Sequence, residues 1–376
     1  MPATRLQEVR RQRAYSASAV IEMMLRRAEM LGIPVMTASS LKTKLSSWEN
    51  GRTAVSPTYQ RLFRDVYGLT NEELGFPAEL DDSEVEELRS RLTIARPVDD
   101  GTVELFRQQV ENARHVDRKF GGIAVLDELR SQIAQIERLL DYSTTRGQRQ
   151  ALAGVLTEAS ALAGWEALDR NAIRQAWDHH EKAKAGAREA GSSVLLAHAT
   201  AQQAFILIDI GEMEAAVGQL GEARTAGASA PRLLRAWLAA AHGEGLAAVG
   251  RRAEALRAFD EADALLPNDP VDPALPFLFL GPGHLDRWRG HALSKLGESD
   301  AIDQLGDALP RLPQEFMRAR TSLLVDLANA YAATGDRDAT LAYARQAKRL
   351  ASQIKSDRQL RRLNGVVLPT GRSARR

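Results

Sequence analysis

The chain contains no cysteine and has few aromatic residues, which make up 5% of its 376 residues. Without cysteine there can be no disulfide framework and no thiolate zinc site, as is typical of a reducing compartment. No stretch approaches 18 uncharged apolar residues, and the N-terminus carries Arg5, Glu8, Arg10 and Arg11 where a signal peptide would need an apolar core. We therefore expect a cytoplasmic protein with no membrane segment and, at this length, two or three domains.

The motifs that mark common enzyme classes are absent as well. There is no GxxxxGK[ST], no HExxH, no GxSxG and no glycine-rich phosphate loop after a strand. His179 and His180 are adjacent, so their side chains point about 100° apart on a helix. His284 and His291 lie roughly 10.5 Å apart along a helix axis, too far to ligate one zinc ion unaided. We expect no metal, no cofactor and no enzyme activity; an enzyme acting on a nucleotide or small molecule is the least favoured alternative.

The net charge is only +1, but the charges are unevenly distributed. Residues 1–76 contain 11 Lys and Arg against 7 Asp and Glu, an excess of about +4. This modest excess suits a sequence-specific reader of the DNA major groove better than a protein that coats DNA without specificity. Residues 345–376 contain 10 basic residues and 1 acidic residue. We expect a solvated, frayed terminus there, with phosphate contact as the alternative, and a disordered basic tail over 366–376.

The stretch from Ser40 to Gly51, SLKTKLSSWENG, has the pattern of a short helix with one buried face. Leu41, Leu45 and Trp48 fall at i, i+4 and i+7, so they share that face, while the polar and basic residues between them stay exposed. Gly51 is suited to end the helix in the left-handed conformation, and the residues that could cap its start are Thr37, Ser39 and Ser40. A short helix that presents basic and hydroxyl side chains predicts either a DNA-reading helix or an ordinary solvated face.

This stretch resembles the recognition helix of the lambda-repressor-like helix-turn-helix family, also called the XRE family, in its actinobacterial form. The match extends from Leu6 to Phe76 and includes an Arg10 and Glu49 pair, the WENG run, a fourth helix opened by Pro57, and the segment YGLTNEELGF. The segment 18–37 is longer than in the compact repressors of the family. The resemblance implies a helix-turn-helix domain over residues 1–78 that binds double-stranded DNA.

The resemblance also implies roles for individual residues. The side chains at base-reading positions are Lys42, Thr43 and Ser47, and those at phosphate-contacting positions are Lys44, Asn50 and Arg52. Hydroxyl and amino groups on a helix in the major groove can reach base edges, and phosphate contacts then set the register. In the family, Arg10 and Glu49 form a structural ion pair.

A composition change follows this domain. Residues 79–101 contain a run of acidic residues and end in the Arg96-Pro97 and Asp99-Asp100-Gly101 breaks. We predict an acidic linker over 79–101, formed as a solvated spacer or helix. From residue 102 to 365 the hydrophobic pattern is helical, and no alternating strand of useful length is present, so the predicted fold class is all-α.

A repeat runs through residues 102–365. Small residues near the middle of each first helix recur with spacings of 40, 39, 47 and 38, at Gly164, Ala204, Gly243, Gly290 and Ala328. A second row of small residues marks the second helices, at Ala183, Ala223, Ala262, Ala308 and Ala347, and turn glycines separate later helix pairs, at Gly211, Gly250, Gly297 and Gly335. This pattern is similar to the tetratricopeptide repeat (TPR), which implies an α-solenoid of stacked helix pairs.

The tetratricopeptide pattern implies which side chains face the concave groove of the solenoid. These positions are Glu158, Trp165, His198, Phe205, Ile208, Trp237, Glu244, His284, Arg287, His291 and Asn329. Aromatic residues beside His, Arg and Asn could hold a peptide or a small amphipathic effector, with Arg287 available to a carboxylate. The alternative is that several of them form the core or rim between repeats.

Together, these patterns predict a DNA-binding transcriptional regulator with an N-terminal reading head and a C-terminal domain that senses an effector and dimerises. Bacterial readers of this kind commonly place two heads on a palindromic site, so we expect a homodimer. The main alternative is a tetratricopeptide scaffold for protein partners with a vestigial helix-turn-helix.

Overall fold

A computed structural model describes residues 4–77, 82–95, 99–121 and 125–369, without the side chains of 82–84. The described residues form eighteen α-helices and no strand, so the predicted all-α fold class is confirmed. The chain divides into two compact units, Met1–Ser90 and Arg91–Arg376.

Four helices of the first unit surround one small core. They are α1 (Arg5–Gln12), α2 (Ala17–Met30), α3 (Ala38–Glu49) and α4 (Pro57–Tyr67). Thr4 and Ser16 cap α1 and α2 by accepting hydrogen bonds from Gln7 and Ala19 N–H groups. Pro57 occupies the first turn of α4, where no helical N–H is lost. Local capping chemistry therefore sets where these helices begin.

The core of the first unit is built from one apolar face of each helix. Its fully buried side chains include Val20, Met24, Leu62, Phe63 and Tyr67. The ring of Trp48 from α3 packs edge-on against Phe63, with centroids 5.8 Å apart. The aromatic core thereby fixes α3 against α4.

The segment predicted as an acidic linker, 79–101, is partly helical. Helix α5 (Asp82–Ala95) occupies most of it, and α6 begins at Asp100 with Asp99 as its N-cap. Residues 78–81 and 96–98 lie outside the described residues.

The second unit is a succession of antiparallel helix hairpins. A first pair, α6 (Asp100–Phe120) and α7 (Leu126–Tyr142), precedes five more, and α18 (Asp357–Asn364) follows them. The five hairpins are α8 (Arg146–Asp169) with α9 (Ile173–Glu189), α10 (Ser193–Ile210) with α11 (Met213–Ala226), α12 (Arg232–Ala248) with α13 (Arg252–Leu265), α14 (Pro282–Leu296) with α15 (Ala301–Arg311), and α16 (Met317–Thr334) with α17 (Arg337–Gln353). A helical-repeat body is therefore present.

Small residues let the two helices of a hairpin approach closely. A Cβ atom added to Gly243 would lie 2.8 Å from the ring of Phe259, and one added to Gly290 would lie 2.7 Å from Leu305. The five alanines of the second row, Ala183, Ala223, Ala262, Ala308 and Ala347, are all fully buried. The recurring small residues of the sequence thus mark the closest contacts within the hairpins.

The hairpin turns are made by residues in the left-handed conformation. The four turn glycines have φ between 75° and 92°: Gly211, Gly250, Gly297 and Gly335. The α8–α9 turn instead uses Asn171 with φ of 58°, since asparagine tolerates this conformation better than most other residues do.

The two ends of the repeat meet. Gly121, which ends α6, lies so close to the end of α17 that an added Cβ would be 2.5 Å from the Ile354 carbonyl oxygen. In addition, α18 packs against α8 as well as against α16 and α17. The groove expected along an open solenoid is therefore a cavity walled by the first and last helices of the repeat.

By length and composition, one helix among the described residues is long and apolar enough to cross a membrane, namely α10, Ser193–Ile210. Half of its residues are buried inside the repeat, and it packs between α9, α11, α8 and α12. A core helix of a stacked repeat has this composition for packing alone.

Replacing Gly243 with Ala should destabilise the second unit by about 1–3 kcal/mol, because the added methyl group overlaps the buried Phe259 ring. Gly218→Ala is the matched control: Gly218 is exposed inside α11 with no atom within 4 Å of the added Cβ, so it should stabilise by about 0.5–1 kcal/mol. Urea unfolding gives the free energy of unfolding of each variant, which should fall for Gly243→Ala and rise for Gly218→Ala. Equal changes in the two variants would contradict close packing at Gly243.

Candidate functional site

Helix α3 buries one face and exposes the other. Leu41, Leu45 and Trp48 are at most 5% exposed. Lys42, Thr43 and Lys44 on the opposite face, and Arg52 just after the helix, are exposed. Three of the four are cationic, so the structure gathers a compact basic surface at α3, available to an anionic partner.

The end of α3 is held by an ion pair with α1. Arg10 donates through Nε to Glu49 Oε1 at 2.5 Å and through a terminal nitrogen to Oε2 at 2.7 Å. The same guanidinium donates to the Tyr15 carbonyl at 3.0 Å, and Thr4 Oγ1 donates to the Glu49 carbonyl at 2.8 Å. Glu49 is only 3% exposed, so this bidentate ion pair orients α3 relative to α1.

Two predicted DNA-contacting side chains have partners inside the unit. Ser47 Oγ lies 2.9 Å from Thr53 Oγ1, and the Asn50 side-chain amide donates to the Ser46 carbonyl at 2.6 Å. These contacts secure the turn after α3, where Gly51 has φ of 64°. The start of α3 also differs from the expectation: Thr37 is the N-cap but its hydroxyl contacts Ser39 and Ser40 instead of a backbone N–H.

The second unit contains a cavity of about 530 Å³. Its walls come from the first helix of each hairpin, α6, α8, α10, α12, α14 and α16, together with α18 and the loop 277–280. Ten of the eleven groove residues expected from the repeat pattern line it: Glu158, Trp165, His198, Phe205, Ile208, Trp237, Glu244, His284, Arg287 and His291.

Asn329 is the exception: contrary to the expectation, it does not line the cavity. The cavity reaches α16 only at its first turns, through Arg318, Ala319 and Ser322. Asn329 lies seven residues beyond Ser322, about 10 Å along the helix, and its side chain donates to the Val325 carbonyl at 2.9 Å. Closure of the repeat at the start of α16 leaves this position outside the cavity.

The apolar part of the cavity is a connected set of aromatic rings. Trp237 and Trp288 lie 5.6 Å apart between centroids, and Phe205 lies 6.1 Å from Trp288 and 6.0 Å from Trp165. His198 joins this set through Trp237, at 5.1 Å. Such edge-to-face, tilted and stacked arrangements hold rings in place, so these side chains form a rigid apolar wall.

A buried guanidinium joins both ends of the repeat. Arg318 on α16 donates to Asp117 on α6 and to Glu166 and Asp169 on α8, at 2.8, 2.9 and 3.2 Å. One cation faces three buried carboxylates. Burial, with Asp117 and Asp169 nearby, raises the pKa of Glu166 well above its usual value despite Arg318.

His291 lies between two buried carboxylates. Its Nδ1 is 2.8 Å from Asp326 Oδ1 and its Nε2 is 3.4 Å from Glu244 Oε1. Burial lowers the pKa of His291, but Asp326 and Glu244 outweigh it and the net pKa is raised above 6.5. Burial raises the pKa of Glu244, yet His291 and the Trp288 N–H bring it to about 2. A positively charged His291 beside a negatively charged Glu244 is therefore favoured inside the cavity wall.

The other cavity histidines are neutral. Burial, followed by the positive charge of Arg287 and Arg118, lowers the pKa of His284 to about 3. Burial, followed by Arg114 and His180, lowers the pKa of His198 to about 3. These two rings present neutral imidazoles to the cavity at physiological pH.

The C-terminal arginines correct the expectation of a frayed terminus. Arg358 donates to both carboxylate oxygens of Asp209 at 2.7 and 2.8 Å, and its guanidinium lies 5.5 Å from the Trp165 ring centre. Arg362 pairs with Asp326. Basic charge alone predicted a solvated tail; the amphipathic spacing of DRQLRRLN in α18 was the signal for a packed helix. Residues 370–376 of the predicted tail lie outside the described residues.

Among the described residues, no group of three or more His, Cys, Asp or Glu side chains is arranged to hold a metal ion. The cavity instead offers aromatic faces, neutral imidazoles and guanidinium groups. This set of groups can bind an amphipathic molecule by packing and hydrogen bonding.

Arg10→Met should destabilise α3 by about 2–4 kcal/mol, because it leaves the Glu49 carboxylate buried without its cation. Arg26→Met is the control, since it removes an exposed pair with Glu22 and should cost less than about 0.5 kcal/mol. Hydrogen exchange of the α1 and α3 amides reports these changes locally. Equal exchange in the two variants would show that the buried pair does not hold α3.

The stability lost in His291→Gln should depend on pH. The pKa of His291 is raised in the folded protein, so its stabilising contribution is full below about pH 6.5 and disappears as pH rises through the folded pKa. The difference in unfolding free energy between wild type and variant should be larger at pH 5.5 than at pH 9. His242→Gln should show the opposite trend, since burial and Arg224 lower the pKa of His242. Parallel pH profiles for wild type and His291→Gln would contradict the assignment.

Comparison with known proteins gives similar solved structures, two of which are described here, and no family. No family model and no curated protein matches the chain. The structure of BtubC (BKLC) from P. vanneervenii is 18% identical, with a TM-score of 0.40, and the match covers 65% of this chain and 96% of that chain. The structure of a Rap protein complexed with competence and sporulation factor is 13% identical, with a TM-score of 0.49, and the match covers 91% of this chain and 87% of that chain. Both TM-scores are below 0.5, so neither structure defines the family or function of this chain.

Proposed function

We propose that this protein is a cytoplasmic, sequence-specific DNA-binding transcriptional regulator whose helical-repeat unit binds an effector. The observation that carries the DNA-binding part is the exposed row Lys42, Thr43 and Lys44 on α3. That helix is anchored from behind by its apolar face and by the Arg10–Glu49 pair. An anchored helix of this kind can enter a major groove while its exposed side chains reach base edges.

The basic and polar side chains of α3 and of the turn after it would have different roles. Lys42 and Thr43 lie within α3 and would read bases, whereas Lys44 and Arg52 would contact phosphates and set the register. Ser47 and Asn50 would support the turn after α3 through their internal hydrogen bonds. If Ser47 also reads a base, its hydroxyl would bond to the base either in addition to Thr53 or in place of it.

The effector part rests on the cavity. Its volume of about 530 Å³ falls within the range of small-molecule sites, and its walls combine a rigid apolar surface with few polar groups. We further propose that the protein acts as a homodimer, because two reading heads on a palindromic site gain affinity together.

The proposal is tested by selecting DNA fragments from a random pool with purified full-length protein at about 150 mM salt, where non-specific phosphate attraction is weakened. Wild type should enrich a defined sequence, and an inverted repeat would indicate two copies. The double variant Lys42→Ala with Thr43→Ala should lose about 10- to 100-fold in discrimination between that sequence and a scrambled one, as expected for lost base contacts.

Lys348→Ala is the control for charge, since Lys348 is an exposed lysine of α17 in the other unit. It should change discrimination less than twofold. No enrichment by wild type, or equal discrimination by the double variant, would reject the reading role of α3. That result would favour a scaffold whose helical-repeat unit binds partners without DNA.

A further inference from the structure

Most arginines that line the cavity are neutralised by protein carboxylates. Arg114 donates to Glu158 at 2.8 Å, Arg358 donates to Asp209, and Arg318 and Arg362 have the partners described above. Burying a guanidinium without such a partner costs free energy, because the group loses its hydration. These arginines therefore serve to hold the walls together.

Two lining arginines form no ion pair with the described residues. Burial lowers the pKa of Arg287, against the opposing charges of Asp326 and Glu244. Arg287 Nε is buried and makes no hydrogen bond with any described residue. Arg118 forms no ion pair with the described residues, and its guanidinium lies 5.5 Å from the centre of the Phe316 ring. Both guanidinium groups thus keep donors for a molecule in the cavity.

Both arginines line the cavity, and the positive charges of both act on the ring of His284. Arg287 is three residues after His284 on α14, so the two side chains share a helix face. The His284 ring is 4.6 Å from the Phe316 ring that Arg118 covers, and its Nε2 is also buried without a hydrogen bond. Arg118 and His284 therefore both contact the Phe316 ring, and Arg287 lies one helical turn from His284 on the same face of α14.

The neighbouring wall is aromatic. Trp288 follows Arg287 directly on α14 and contacts Trp237 and Phe205. The Trp288 N–H is already used by Glu244, so this wall presents ring surface to the cavity. Donors for an anion on one side and ring faces on the other define an amphipathic site.

We propose that the cavity binds a small amphipathic anion, with a carboxylate or phosphate held by Arg118 and Arg287 and an apolar, ring-containing body packed against Phe205, Trp237 and Trp288. This inference rests on the proposed effector role of the cavity and names the class of effector. Guanidinium groups bind two oxygen atoms of a carboxylate or a phosphate through paired N–H donors, and the cavity volume accommodates a small amphipathic molecule.

The test uses two dyes that share a body and differ in charge, with the full-length protein and no DNA. 8-Anilinonaphthalene-1-sulfonate carries an anionic group, and N-phenyl-1-naphthylamine lacks it. Wild type should bind both saturably by fluorescence titration, with one site per chain. Arg287→Gln should weaken the sulfonate at least tenfold and change the neutral dye less than twofold. Arg118→Gln should act in the same direction.

Arg289→Gln is the matched control, because Arg289 lies on the same helix but donates to Asp260 at 2.8 Å and is not part of the cavity wall. It should leave both dyes unchanged. Far-UV circular dichroism checks that each variant is folded; if Arg287→Gln does not fold, Arg118→Gln decides. Competition by phenylacetate, phenyl phosphate and phenylacetamide then distinguishes a carboxylate from a phosphate site, and the neutral amide should compete least.

The absence of saturable sulfonate binding to wild type, or equal loss of both dyes in Arg287→Gln, would overturn the proposal. Phenylacetamide competing as well as phenylacetate would do the same. Selection of DNA is measured separately, so a failure of anion binding with intact DNA reading rejects only the effector class. A failure of DNA reading with intact anion binding rejects the regulator and keeps the site.

Discussion

The helical-repeat unit depends on the guanidinium of Arg318. It binds Asp117 near the end of the first helix of the unit, Glu166 and Asp169 near the end of α8, and is itself at the start of the last long hairpin. Hairpins that stack with a constant rotation form an open superhelix unless something joins the ends. Here a buried cation joins them, and removing it would leave three carboxylates buried without their common partner. The cavity exists because this closure brings α6, α16 and α18 to the same space.

The hairpins themselves could be predicted from the sequence because their determinants are local. Gly243 and Phe259 are 16 residues apart and belong to neighbouring helices, so a small residue at one position and a ring at the other already describe their contact. Each turn glycine determines only the conformation of the turn in which it lies. The same holds for α3, whose buried face follows from the spacing of Leu41, Leu45 and Trp48. Periodicity and turn chemistry suffice for such features.

Closure could not be predicted in this way. Arg318 and Asp117 are 201 residues apart, and Ser356 donates to Asp169 across 187 residues. No periodic pattern links such positions. For this reason Asn329 was assigned to a groove that ends before it, and Arg358 and Arg362 were assigned to a solvated terminus. The repeat pattern identified ten cavity residues because they lie on first helices, whose inner faces are set by stacking alone. Which groups close the cavity depends on where the last helices of the repeat come into contact with the first ones.

This closure also determines how a ligand in the cavity could act at a distance. A ligand changes a conformational equilibrium only by binding one conformation better than another. Arg118 on α6 and Arg287 on α14 come from elements far apart in the chain, and they line one cavity only while the ends of the repeat meet. A molecule that uses both arginines therefore binds the closed repeat better than an open one. Opening would separate the two donors and expose the ion pairs of α18 to water, where they are weaker. Binding of such a molecule would therefore be thermodynamically linked to closure of the repeat.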